Sequence, residues 1–169
     1  MFLGLDLGTT NIKALVTDSA GQPLAQAASP VPLLHAAAGG VEQDLDAIEQ
    51  ATLAVLQQVA GAVDPSGIDA IGVSSQGGAM QVLAPDGQPV GRVISWLDQR
   101  GRPFDRALLS ELGRSWLLER LGRGVPGVSV GQSLRLHQEQ PGLLTPPNRV
   151  GFVGDIIVGR LCGRGAHDM

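Results

Sequence analysis

The chain has 169 residues, 43% hydrophobic and 17% charged, which fits a soluble globular fold with a sizeable core and excludes a disordered chain. A formal net charge of −4 leaves little cationic surface to displace phosphate counterions, so nucleic acid is not an expected partner. The single cysteine, Cys162, excludes an intrachain disulfide and a thiolate zinc site and reads as a small apolar filler beside Leu161, while no apolar window reaches the length of a membrane span, so a cytoplasmic protein is expected.

In chain order, Phe2 to Leu7 reads as a short buried strand, Gly8 to Asn11 as a tight polar turn, and Ile12 to Thr17 as a second strand. After the turn Asp18 to Gly21, Pro23 to Val31 continues as a third, edge-like strand, which makes a meander. Val41 to Val63 carries apolar residues every third or fourth position, from Leu45 and Ile48 through Leu53, Leu56 and Val59, and predicts the clearest helix. Gly39 and Gly40 before it read as a loop. Ile68 to Ser74 predicts a second buried strand, followed by the polar, glycine-bearing Ser75 to Gly78.

Met80 to Ala84, the turn Pro85-Asp86-Gly87 and Val90 to Trp96 predict a hairpin, and Arg102 to Leu121 a helix with a break at Gly113. Glycine and proline dominate Gly122 to Gly131, which reads as a loop. A short helix is expected over Gln132 to Gln140, and another over Val150 to Leu161, entered near Asp155. The order strand, strand, strand, helix, strand fits an α/β domain with a mixed sheet. His35, His137 and His167 are far apart and read as surface or loop residues; Asp168 reads as a loop carboxylate.

The chemistry concentrates in Gly4-Leu5-Asp6-Leu7-Gly8-Thr9-Thr10-Asn11-Ile12-Lys13. A carboxylate at the end of a buried strand can hold a hydrated Mg²⁺, whose hard charge prefers oxygen ligands. Gly8 lets the backbone approach a polyphosphate, Thr9, Thr10 and Asn11 offer hydroxyls and an amide, and Lys13 adds a cation. Phosphoryl transfer needs this combination of charge neutralisation and placement. The competing reading is an ordinary hairpin with a polar turn.

This segment resembles the first phosphate-binding motif of the actin, Hsp70 and sugar-kinase superfamily, and in its Asp-Leu-Gly-Thr-Thr form it most resembles the FGGY carbohydrate kinases. Ile71-Gly72-Val73-Ser74-Ser75-Gln76, Ile94-Ser95-Trp96-Leu97-Asp98-Gln99-Arg100 and Gly154-Asp155-Ile156-Ile157 are similar to later elements of that family, in the same order. The resemblance implies an α/β, ribonuclease H-like (actin-like ATPase) domain, incomplete, with a mixed sheet flanked by helices. Residues 1–169 would form part of the N-terminal domain, without the second.

It also implies ATP and Mg²⁺ as cofactors and a sugar or polyol as phosphoryl acceptor, and it leaves room for a homodimer. Asp6 would be the metal-associated carboxylate; Thr9, Thr10 and Asn11 would contact the transferred phosphate and Lys13 would neutralise it. Gln76, Gly77 and Gly78 would border the sugar, Trp96 would pack on its carbon face, and Asp98 would accept from its hydroxyls. For Trp96 a core or interface aromatic competes, and for Asp98 and Arg100 a surface ion pair. Gly77-Gly78 stands where relatives carry bulky or charged sugar contacts, so the substrate stays unassigned. The family's general base, an aspartate, lies beyond Met169, so the chain alone is expected to be inactive; the alternative is a non-catalytic actin-like binding or assembly module.

Overall fold

A computed structural model describes residues 1–127 and 129–165; the sequence readings for His167 and Asp168 lie outside them. The described residues form two compact units, one of residues 1–33, 43–77 and 152–165, the other of 34–42, 78–127 and 129–151.

The first unit is built on β1 (Phe2–Leu7), β2 (Asn11–Thr17), β3 (Pro23–Pro30) and β6 (Ala70–Ser75), in the sheet order β3-β2-β1-β6. The expected meander forms: β1 is antiparallel to β2 and β2 to β3, while β6 runs parallel to β1. Alternation sets the faces. Leu3, Leu5 and Leu7 of β1 and Ile12, Ala14 and Val16 of β2 point into the core, with Gly4, Asp6, Asn11 and Lys13 on the opposite face.

Helix α1 (Leu45–Ala60) packs against β2 and β3 and buries Leu45, Ile48, Ala51, Thr52, Val55 and Val59. Asp44 starts it, its Oδ1 accepting from the N–H groups of Asp46 and Ala47 at 3.0 and 3.1 Å. The helix therefore begins later than its apolar spacing suggests: Gly40–Gln43 is a strand, β5, and only the residues after the cap are helical. The buried Thr52 hydroxyl donates to the Ile48 carbonyl at 2.8 Å. Helix α4 (Val153–Cys162) packs on β6, burying Val153, Ile156 and Ile157, and its Arg160 pairs with Glu49 of α1.

Three expectations for this unit are corrected. The predicted helix from Val150 is strand β9 (Arg149–Phe152) until Val153. Cys162 is exposed, with its thiol 3.4 Å from the Arg164 carbonyl oxygen, and fills no core space. Strand β6 exists, yet all six of its residues are exposed, including Ile71 at 57% and Val73 at 40%.

The second unit carries β4 (Leu34–Ala36), β5, β7 (Met80–Leu83), β8 (Pro89–Ile94) and β9 in the order β4-β5-β8-β7-β9. β7 and β8 form the predicted antiparallel hairpin, its turn closed by the Ala84 N–H on the Gln88 carbonyl at 2.8 Å. Helix α2 (Arg102–Leu121) breaks at Gly113, whose φ of 78° and ψ of 157° lie outside the helical region. Helix α3 (Val130–Glu139) packs on α2. The contact is close: a Cβ at Gly101 would stand 2.6 Å from the Gln132 nitrogen.

Candidate functional site

In the first unit the Asp6–Lys13 segment folds as its sequence suggests. Asp6, the penultimate residue of β1, is half-buried, directly opposite Lys13 on β2 and beside Ser74 on β6, so Lys13, Asp6 and Ser74 form one row across the sheet. The next row is Leu15, Gly4 and Gly72. The two rows border a trough of about 470 Å³ whose floor is opened by the two glycines. Gly8 has no room for a side chain: a Cβ there would lie 2.6 Å from the Asn11 carbonyl oxygen and 3.5 Å from the Asp6 carboxylate. The turn thus wraps its backbone closely beside the carboxylate.

Thr10 and Asn11 are exposed and Thr9 is half-buried, so neither threonine is sealed among apolar side chains. Asn11 Nδ2 donates to Thr10 Oγ1 at 3.2 Å. The turn's carbonyls point the other way: Thr10 O accepts from the Val31 N–H at 2.9 Å and Thr9 O from Gln43 Nε2 at 2.9 Å. Gln76 follows β6, its N–H on the Leu7 carbonyl at 3.0 Å and its Nε2 on Gln43 Oε1 at 2.8 Å. Gly77 has open space where a Cβ would stand.

Sequence reasoning missed Ser74 and Gln43 here. Period-two alternation would have placed Ser74 in the Asp6 row once β6 was known to be parallel, whereas Gln43 lay inside a segment read as helix.

In the second unit, Gly78 adopts a left-handed φ of 77°. Trp96 is 47% exposed and lines a pocket of about 250 Å³ with Asp98, Gly101, Arg102, Asp105 and Gln132, so it is not a core aromatic. The surface-pair reading of Asp98 and Arg100 is overturned by burial: the Asp98 side chain is 0% exposed. Its Oδ2 accepts from the Val41 N–H at 3.0 Å and its Oδ1 from Gln132 Nε2 at 2.9 Å, in addition to Arg100. Arg100 also reaches Glu42 at 2.6 Å, and Gln132 receives Arg135 Nε at 2.9 Å. Burial pushes the Asp98 carboxyl up, but the Arg100 guanidinium and the surrounding N–H donors outweigh it and hold the group below the usual carboxylate range. Arg100 in turn is raised, chiefly by its hydrogen bond to Asp98. Asp105 moves upward: burial dominates over the Gly131 N–H and the Arg102 charge.

Among the described residues no helix is long and apolar enough to cross a membrane. The model of the FGGY family of carbohydrate kinases, N-terminal domain, matches residues 1–169. A glycerol kinase of Gloeobacter violaceus is 30% identical over 168 residues, covering 98% of this chain and 33% of that protein. A probable L-xylulose kinase of Haemophilus influenzae is 35% identical over 101 residues, covering 59% of this chain and 21% of that protein.

Among solved structures, a gluconate kinase from Lactobacillus acidophilus superposes with a TM-score of 0.87 at 22% identity, over 96% of this chain and 33% of that one. A Plasmodium falciparum glycerol kinase with ADP also gives 0.87, at 16% identity, over 96% and 34%. The chain spans about a third of the length of such relatives. The mixed α/β architecture is thus the actin-like, ribonuclease H-like fold anticipated from the motifs. From its first residue to its last, this chain belongs to the FGGY family of carbohydrate kinases as a match to their N-terminal domain.

Proposed function

We propose that this chain is the phosphate-gripping portion of an ATP-dependent sugar or polyol kinase, cytoplasmic, in which the Asp6–Lys13 turn holds the nucleotide's terminal phosphates. The observation that supports this most is Gly8, where a Cβ would stand 2.6 Å from the Asn11 carbonyl oxygen beside the Asp6 carboxylate. Asp6 would hold a hydrated Mg²⁺, and the donor set fits: among the described residues it is the one carboxylate lining the trough, which suits a cation that keeps several waters. Bound there, ATP supplies the phosphoryl group and the cation neutralises its charge.

The chain's own residues do the placing. The Thr9 and Thr10 hydroxyls and the Asn11 amide can orient phosphate oxygens, and Lys13, one step across the sheet from Asp6, balances the remaining negative charge. Gln76, Gly77 and Gly78 are proposed to border the sugar, Trp96 to pack on its carbon face and Asp98 to accept from its hydroxyls. With the general base assigned by family resemblance beyond Met169, nothing within residues 1–169 is proposed to accept the hydroxyl proton. The 169-residue chain alone is therefore proposed to be inactive.

Mg·ATP titrated into the ¹⁵N-labelled chain tests the reading. Amide resonances from Gly8 to Lys13 are expected to move, and Asp6→Ala with Lys13→Ala to abolish the movement. An unperturbed turn in the wild-type chain would sink the reading. A clear sugar-dependent consumption of ATP, lost in Asp6→Ala, would overturn the proposed inactivity.

The exposed strand β6 favours a second reading, a non-catalytic module that assembles through its sheet. Size-exclusion chromatography over a range of concentrations, with and without sugars, separates the two: sugar-independent self-association supports the module.

A further inference from the structure

In the second unit, β5, β8 and β7 together with α3 border a cavity of about 300 Å³ whose lining residues take none of the sugar or phosphate roles. Its floor follows from alternation along the strands: Met80 and Val82 of β7 and Ile94 of β8 are buried and line it with Leu136 of α3. These side chains carry no nitrogen or oxygen, so the hydroxyls of a sugar would be stranded against them.

The wall is polar. Arg135 and Arg100 line it, and Glu42 is the one carboxylate among the described lining residues. Arg135 is 5% exposed; its Nε donates to Gln132 Oε1 at 2.9 Å and its Nη1 to Glu139 Oε2 at 2.7 Å, but its Nη2 donates to none of the described residues. Nor is that nitrogen sealed in, as the enclosed and unpartnered Gln76 Oε1 and Gln81 Oε1 are. Nη2 thus keeps accessible surface, and the cavity is the space Arg135 borders. Arg100 repeats the pattern: Nε and Nη2 hold Asp98 and Glu42, while Nη1 donates to none of the described residues.

Two guanidinium edges with unused donors therefore share one largely apolar cavity. A planar carboxylate is the acceptor such an edge fits. Asp98, Glu42 and Glu139 already pair with the two arginines, so one further negative charge suits the wall better than a phosphate dianion.

We propose that this cavity binds a small aliphatic monocarboxylate, its head on Arg135 and Arg100 and its chain on Met80, Val82 and Leu136, and that it is an effector site. The second half comes from a shared wall. Arg135 holds Gln132 and Arg100 holds Asp98, while Gln132 and Asp98 line the pocket of Trp96 and are joined to each other at 2.9 Å. A bound carboxylate competes with Gln132 and Asp98 for the same two guanidiniums, so its arrival is felt at Trp96. Nothing here draws on the Gly8–Asn11 turn, which belongs to the other unit.

Sodium hexanoate titrated into the 169-residue chain by calorimetry tests the site, and Trp96 emission in Trp116→Phe, which leaves Trp96 as the single tryptophan, tests the coupling. Saturable binding at one site and a change in Trp96 emission over the same concentrations are expected. Acetate, which lacks the chain, and 1-hexanol, which lacks the charge, are each expected to bind about tenfold or more weakly than hexanoate. Arg135→Gln is expected to weaken hexanoate about tenfold or more, the weight of one hydrogen bond to a charged group. Val90 is exposed and lines the cavity, so Val90→Glu sets a like charge beside the ligand without disturbing the core. It is expected to weaken hexanoate about threefold or more and carries the test should Arg135→Gln not fold.

No saturable binding, or binding indifferent to both variants, overturns the site. Equal binding of 1-hexanol overturns the carboxylate assignment. Hexanoate bound with Trp96 emission unchanged overturns the effector role. Failure of the Mg·ATP response with hexanoate still bound strikes the phosphate reading and not this one.

Discussion

Asp98 and Arg100 are locked to each other through a single buried carboxylate: the Arg100 N–H meets Oδ1 at 2.9 Å, Nε lies 3.1 and 3.0 Å from the two oxygens, and Nη2 meets Oδ2 at 2.6 Å. Removing the carboxylate would leave the largely buried guanidinium with Glu42 as its remaining carboxylate and strand the Val41 and Gln132 donors. Breaking such a pair costs about 3–5 kcal/mol. Asp98→Ala is therefore expected to lower the unfolding free energy by about that amount in urea denaturation. A loss under ~1 kcal/mol, the weight of a surface pair, would contradict the arrangement.

The same carboxylate sets a pH dependence. Its ionisation in the folded chain lies below that of an unfolded aspartate, near about 3.9. The folded state thus binds fewer protons, and stability rises with pH through this window. The contribution is complete above about pH 4 and is lost as pH falls through the lower folded value. Unfolding free energies measured from pH 7 down to pH 2 should decline more steeply in the wild type than in Asp98→Asn, which has no charge to lose.

Gly8 and Gly77 make a matched pair of probes. An alanine Cβ at Gly8 meets the Asn11 carbonyl oxygen at 2.6 Å, while one at Gly77 meets nothing within 4 Å. Gly8→Ala is expected to destabilise by about 1–3 kcal/mol, as overpacking does, and to abolish the Mg·ATP response. Gly77→Ala should stay within about 0.5 kcal/mol of wild type. Thermal melts and the same titration check both.

Cys162, exposed near the end of α4, should react fully with a thiol reagent under native conditions. Cys162→Ser is expected to change stability by less than about 0.5 kcal/mol. A protected thiol would restore the filler reading.

What the sequence disclosed was what lies close together along it. β1, β2 and the turn between them could be read because alternation, glycine and polar residues act over a few positions, and the Gly8–Asn11 turn is wholly local. Gln43 could not: its role depends on Thr9 and Gln76, 34 and 33 residues away, and its neighbours Val41 and Leu45 continue a helical spacing that only the Asp44 cap interrupts. Asp98 and Arg100 looked like a surface pair for the same reason, since Val41 and Gln132, 57 and 34 residues distant, enclose them. β6 failed differently. Ile71 and Val73 are residues that usually lie inside, but whether a strand is covered is decided by its neighbours and not by its own side chains.

That strand has a practical consequence. Among the described residues β6 is paired on one side only, to β1, and lies at the end of its sheet with all six residues exposed. Its free backbone groups can recruit whatever extended segment is at hand. Preparations of this chain will be best behaved when an added peptide zips onto that margin, and a library of short extended peptides screened for solubility gain is the direct way to find one.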